Sequence, residues 1–229
     1  MVSERVAIIF HGIGTPGPAV PEGERRYWIS PARYAAVLDR ILALPDPRAV
    51  RITFDDGNIS DLSIGLPGLV QRGLTADFFV LTGRLGQPGS LAAEDVRALR
   101  AAGMRIGSHG IDHRPWPTLD PETLWAELSG SRLRLTAICG GPVTEAGIPF
   151  GSYDARVLRD LRRAGYVRAW SSDGGRIGGD GFLLPRASIT ADMDDAALDA
   201  VLAGEMAPLR RLRRSLGMLR KQMSGRLSA

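Results

Sequence analysis

Apolar residues along this chain follow two alternating patterns. Short runs rich in β-branched and aromatic side chains, bounded by turn residues, recur at Val6–Phe10, 50–54, Ala76–Val80, 104–106, 147–150, 167–170 and 182–184. Between most of them lie longer segments, 31–44, 62–71, 91–102, 121–138 and 155–164, whose apolar residues return every three or four positions. The first pattern predicts buried strands and the second amphipathic helices. Their alternation predicts repeated β/α units on a parallel sheet. Helix punctuation agrees. Ser30-Pro31, Asp120-Pro121 and Asp154 have the chemistry of N-caps, two of them with proline in the first turn, and Gly73, Gly103 and Gly165 follow helix ends as stops. About seven strands with intervening helices favour a distorted, incomplete β/α barrel over an open doubly wound sheet. No Gly-x-Gly-x-x-Gly turn follows the first strand, which argues against a dinucleotide site.

In a β/α barrel the loops after the strands share one rim, so chemistry is sought there. Thr53-Phe54-Asp55-Asp56-Gly57 delivers two adjacent carboxylates to a glycine turn at the end of the second run, and His109 and His113 follow the fourth. Strict alternation would send the two aspartates to opposite faces, but Gly57 allows the chain to turn. The i, i+4 histidines would point the same way on a helical turn. One carboxylate and two imidazoles form a three-ligand metal set with open positions, and the spare carboxylate can act as a base. Taken singly, each motif also has an ordinary reading, as a turn former or as incidental loop histidines.

Composition narrows the classes. The chain has 229 residues, 44% of them hydrophobic, and no run long enough to span a bilayer. Its net charge of +4 is uneven: 209–229 carries seven basic residues and no acid, which leaves 1–208 with a net charge of −3. The body therefore lacks the basic face expected of a nucleic-acid binder. A five-residue apolar run before His11 is too short for a secretory signal, and a single cysteine, Cys139, cannot form an internal disulfide. Both features lead us to expect a cytoplasmic protein. The expected organisation is a domain over 1–205 followed by a basic amphipathic tail over 206–229. There Met206, Leu209, Leu212, Leu216, Leu219 and Met223 make an apolar stripe. Such a stripe could pack on the barrel, pair with another subunit, or lie on the inner face of an anionic membrane through 209–229.

In order and spacing, Thr53 to Gly57, the Leu66-Pro67 helix, Ala76–Val80, Gly107 to His113 and Pro149-Phe150-Gly151 resemble the polysaccharide deacetylases of the NodB-homology type, carbohydrate esterase family 4. The resemblance runs from about Val6 to Ile189. It implies that Asp56, His109 and His113 bind one divalent metal ion, with zinc first and cobalt, nickel or manganese as alternatives, and that Asp55 is the general base. Pro149, Phe150 and Gly151 match a groove wall, where the Phe150 N–H would help hold the oxyanion. The implied reaction is hydrolysis of an N-acetyl group from an amino sugar, an oligosaccharide or a lipid-linked glycan; the alternatives are an O-acetyl esterase on the same site and a degenerate carbohydrate-binding member.

Three departures from that pattern bear on mechanism. The arginine that often orients the base is replaced by Gly147, although its aspartate partner has a counterpart in Asp173. Where many members carry a late histidine as general acid, this chain reads Leu184-Pro185-Arg186-Ala187-Ser188, and no histidine follows His113. Gly110 replaces a common Ser or Thr. We therefore expect Asp55 to serve as both base and acid, with His11 as the alternative. Trp116, Trp170, Asp173 and Arg186 are groove candidates, Trp116 having core or loop packing as its other reading. Trp125 is expected in the core, and Trp28 to serve only in packing.

Overall fold

The computed structural model describes residues 5–18 and 20–205, so the amphipathic stripe of 206–229 lies outside the described residues. Among the described residues ten strands occur, in chain order β1 Val6–Phe10, β2 Gly12–Ile13, β3 Trp28–Ile29, β4 Val50–Asp56, β5 Ala76–Val80, β6 Arg105–Ser108, β7 Glu145–Gly147, β8 Arg168–Ser171, β9 Leu183–Pro185 and β10 Ala187–Ser188. Eight form one parallel sheet in the order β10-β1-β4-β5-β6-β7-β8-β9, and β2 and β3 make a separate parallel pair. The two outer strands of the large sheet are consecutive in the chain, joined only by Arg186. A single bent segment thus pairs with β8 on one side and β1 on the other, leaving a nearly closed barrel. Counted that way, the seven expected strands are present. Only the fifth is displaced, with β7 at Glu145–Gly147 and Pro149–Gly151 forming a tight turn beyond it.

The helices are α1 Pro31–Leu42, α2 Leu66–Gln71, α3 Ala93–Ala101, α4 Pro121–Trp125, α5 Ser131–Cys139, α6 Ala155–Arg163 and α7 Asp195–Leu202. A π turn, Ala126–Gly130, joins α4 to α5, and another, Asp61–Gly65, leads into α2. All three expected N-caps form: Ser30 accepts from the Arg33 N–H, Asp120 from Glu122 and Thr123, and Asp154 from Val157. The helix α7 has no counterpart among the expected segments. Among the described residues, no helix is long and apolar enough to cross a membrane.

Period-two alternation on a sheet covered on both faces explains how the site is built. Every residue of β4 is buried. Val50, Ile52 and Phe54 join the core against the helices with Val6, Ile8, Phe10, Phe78 and Val80. Arg51, Thr53 and Asp55 point the other way, into the barrel. Its interior is layered. At the entry end Arg51 pairs with Asp77 and, at 2.6 Å, with Glu145, while its guanidinium lies 4.5 Å above the Trp170 ring. Ala7, Phe79, Trp170 and Leu184 fill the middle. Asp55 and His109 stand above them at the rim.

Candidate active site

Three side chains from two strand ends converge on that rim. Asp56 ends β4 in the left-handed region, φ 80°, and Gly57 continues the turn at φ 76°. Asp55 therefore faces the barrel axis while Asp56 swings over the same cavity. His109 follows β6, and its Nδ1 lies 2.9 Å from the Gly147 carbonyl, which leaves Nε2 directed at the cavity. His113 reaches the same place through an irregular loop, with Gly110 at φ 88° and His113 itself at φ 53°. This corrects the helical reading of the i, i+4 pair. The loop is shaped by Glu127, a buried carboxylate of the π turn that accepts from the Ile111 N–H at 2.6 Å and the Asp112 N–H at 3.2 Å. A Cβ on Gly110 would stand 2.6 Å from Glu127 Oε2, so glycine is required where a hydroxyl residue was the alternative.

The Nε2 atoms of His109 and His113 lie 3.6 and 3.5 Å from Asp56 Oδ1, an oxygen that is buried without a hydrogen-bond partner. Burial drives the His109 pKa down to about 3 against the opposing pull of Asp55, and it lowers His113 as well. Burial, less the attraction of His11 and with the repulsion of Asp55, raises Asp56 to about 6. These approaches are therefore lone-pair atoms facing one another rather than ion pairs. Neutral imidazoles and a stranded carboxylate oxygen, all within 4.8 Å, form a group that could hold a divalent cation.

Asp55 has a different environment. Arg186, fully buried, donates to both its oxygens, at 2.6 and 2.8 Å, and also to Thr53 Oγ1 at 3.0 Å. Burial alone would raise the Asp55 pKa, but the Arg186 charge, the nearby His109 and the two hydrogen bonds outweigh it and hold the carboxyl below its ordinary value. Arg186 is thus no groove residue. It comes from the segment that closes the barrel, and Gly147 makes room for it: a Cβ there would stand 3.1 Å from Arg186 Nη2, 3.1 Å from His109 Nδ1 and 3.0 Å from Phe79 Cγ. The arginine absent at position 147 thus has a counterpart in space, supplied by the link between the last two strands.

The cavity over these groups, about 160 Å³, is lined by His11, Glu24, Tyr27, Trp28, Asp55, Asp56, His109, His113, Phe150 and Gly151, among others. His11 lies 4.8 Å from the Tyr27 ring; burial lowers its pKa, and its Nδ1 has no partner. Phe150, about half exposed and at φ 57°, stacks on His113 with ring centres 4.3 Å apart. Its neighbour Pro149 is buried. Trp116 and Trp170 do not reach the groove. Trp116 packs with Leu119, Leu124 and Leu128, and Trp170 fills the barrel, donating to Glu145 at 2.7 Å. Asp173 accepts from the Tyr153 hydroxyl at 3.0 Å and is absent from the cavity lining. The expectation for Trp125 also fails, since it is exposed under Arg163. The aromatic wall comes instead from Tyr27 and Trp28, whose indole packs so closely over Gly12 that a Cβ there would clash.

The family model described as polysaccharide deacetylase matches residues 44–169, more than half of the chain. The chain belongs to the polysaccharide deacetylase family. Within it, this deacetylase-family chain is 26% identical over 160 residues to YxkH of Bacillus subtilis (strain 168), itself assigned only provisionally as a polysaccharide deacetylase. The match covers 69% of the chain but 57% of YxkH, so the chain spans little more than half of that relative. The fold is shared with Streptococcus pyogenes deacetylase PplD, solved with acetate, at a TM-score of 0.75 and 19% identity, covering 86% of this chain and 98% of PplD. It is also shared with IcaB from Ammonifex degensii, at a TM-score of 0.70 and 20% identity, covering 88% and 97% of the two chains. His11, Glu24, Tyr27, Trp28 and Arg186 all lie outside the matched family region.

Proposed function

We propose that this deacetylase removes an N-acetyl group from an amino sugar, with Asp56, His109 and His113 as ligands of one divalent metal ion and Asp55 as the base. One observation carries the proposal: three lone-pair donors converge beside a second carboxylate that an arginine keeps ionised. A divalent ion bound there would supply Lewis acidity toward the acetyl carbonyl and lower the pKa of water. The chain supplies the rest. Asp55 takes a proton from the attacking water, and the clamp of Arg186 keeps its oxygens aimed and unprotonated beforehand. The same clamp makes Asp55 a poor place to keep that proton. It passes from Asp55 to the departing nitrogen as the C–N bond breaks, with His11, which lines the same cavity, as the alternative carrier. The Phe150 N–H would steady the oxyanion, since the Gly151 N–H is already given to the Ile148 carbonyl, and Phe150, Tyr27 and Trp28 would enclose the sugar.

Lipid attachment of the glycan, an inner-face membrane contact through 209–229 and a cytoplasmic location are further parts of this proposal, supported by the sequence pattern alone. The test is metal analysis of the purified protein followed by acetate release from N-acetylated and O-acetylated sugars of increasing length. Metal-dependent release from N-acetyl substrates is the expected result. Release from O-acetyl substrates alone would make it an esterase, and metal without turnover on either would make it a binding member.

A further inference from the structure

The two candidate ligand histidines are not held alike. His109 has its ring orientation fixed by the Gly147 carbonyl, 2.9 Å from Nδ1. His113 has no such backbone acceptor among its described contacts. Its ring lies between two carboxylates, with Nε2 3.5 Å from Asp56 Oδ1 and Nδ1 3.8 Å from Glu24 Oε1, and Phe150 fixes the ring plane from one face. Glu24 belongs to the short 3-10 segment Glu22–Tyr27, ahead of the region that the family model matches. That segment is anchored: the Arg26 carbonyl accepts from the Ala191 N–H at 2.8 Å, the Arg26 side chain pairs with Asp192, Tyr27 stacks against His11, and Trp28 enters β3. The Glu24 carboxylate is thus delivered to one edge of His113 by a tethered element, and its side chain is 28% exposed.

We infer that Glu24 is a positioning residue for His113, setting the tautomer with the proton on Nδ1 so that Nε2 keeps its lone pair toward Asp56. An imidazole binds a metal through a nitrogen that carries no proton, and ligating histidines nearly always give their other N–H to a carboxylate or carbonyl. The present 3.8 Å is longer than a hydrogen bond. Rotation of the flexible glutamate side chain closes it once the Nδ1–H is present. The inference rests on the proposed metal role of His113, but it makes a claim about the metal-free protein as well.

The test uses the full chain, whose three histidines make ring assignment practical. Long-range proton–nitrogen correlation on metal-free protein, at a pH where the rings are neutral, should show the Nδ1–H tautomer for His113 in the wild type. Glu24→Ala should shift it toward Nε2–H, and Glu24→Gln, whose amide oxygen still accepts, should retain it. Titration with Zn²⁺ alone should give a dissociation constant about 10–100-fold weaker for Glu24→Ala, a smaller change for Glu24→Gln, and none for Glu22→Ala, which alters an exposed neighbour. The same tautomer and Zn²⁺ affinity in Glu24→Ala as in the wild type would overturn the inference. A wild type that binds no Zn²⁺ would instead refute the metal reading, and the tautomer shift would still decide the role of Glu24.

Discussion

Replacing Arg186 with methionine tests the central feature of the site without depending on turnover. Methionine fills much of the same space beside Phe79 but leaves Asp55, 3% exposed, without its two charge-assisted hydrogen bonds. Removing one partner of a buried ion pair typically destabilises a fold by about 3–5 kcal/mol, because the other charge is left uncompensated. The stranded carboxyl can escape part of that penalty by taking up a proton. In the wild type the Asp55 pKa is depressed, so its stabilising contribution is present above the unfolded value of about 3.9 and lost as pH falls below it. In the variant burial acts alone and raises the folded pKa, so stability is lost as pH rises from about 4 through that value. Both effects make the difference between the two proteins grow with pH. Each unit is worth up to about 1.4 kcal/mol while the folded variant holds a proton that the unfolded chain has released. Urea unfolding at pH 5 and pH 8 should therefore show a loss that is small at pH 5 and reaches about 3–5 kcal/mol at pH 8. The double variant with Asp55→Asn should recover much of it, because both members of the pair are then gone. A loss below about 1 kcal/mol at pH 8, or one independent of pH, would refute the reasoning.

Four further outcomes follow from the same geometry. Asp55→Asn should keep the bound metal and lose at least about 10²-fold in turnover, measured by acetate release beside metal content. His109→Ala and His113→Ala should each lose metal and activity while circular dichroism stays native, since both lie on the rim. Asp56 is raised to about 6, so in metal-free protein its contribution favours the fold at low pH and is lost as pH rises through about 6. Asp56→Asn should flatten the stability profile between pH 4 and 7, and metal affinity of the wild type should weaken as pH falls below 6. Gly147→Ala should destabilise by about 1–3 kcal/mol, read from urea midpoints, because its methyl meets Phe79, Arg186 and His109 at 3.0–3.1 Å.

The barrel was legible because its signals are local. The caps Ser30, Asp120 and Asp154 and the apolar runs act over a few residues, and the Asp55-Asp56-Gly57 turn sits where a strand must end. The partner of Asp55 was not legible. Arg186 lies 131 residues away, and a buried arginine in a Pro-Arg-Ala stretch looks like any exposed one until register is known. The tryptophans failed for a related reason. Loop position left Trp116 open between groove and packing, and it is buried with Leu119 and Leu124, while Trp28, in a segment with no strong periodicity, lines the cavity. Glu127 was missed because a carboxylate on a helix reads as a solvated face, and only the π turn brings it under the histidine loop.

The Arg186 link between β9 and β10 also has a consequence for synthesis. Asp55 leaves the ribosome 131 residues ahead of the side chain that orients it. At about 5–20 residues per second that interval is roughly 7–26 s, during which the first six sheet strands can pair while the carboxylate has no counter-ion. The last sheet segment to be made both completes the barrel and brings the counter-ion to the Asp55 carboxylate. A nascent or truncated chain ending before residue 186 would therefore carry the Asp55-Asp56-Gly57 turn and both rim histidines yet lack the clamp on Asp55, so under the proposed mechanism hydrolytic competence would arrive with closure and not by degrees.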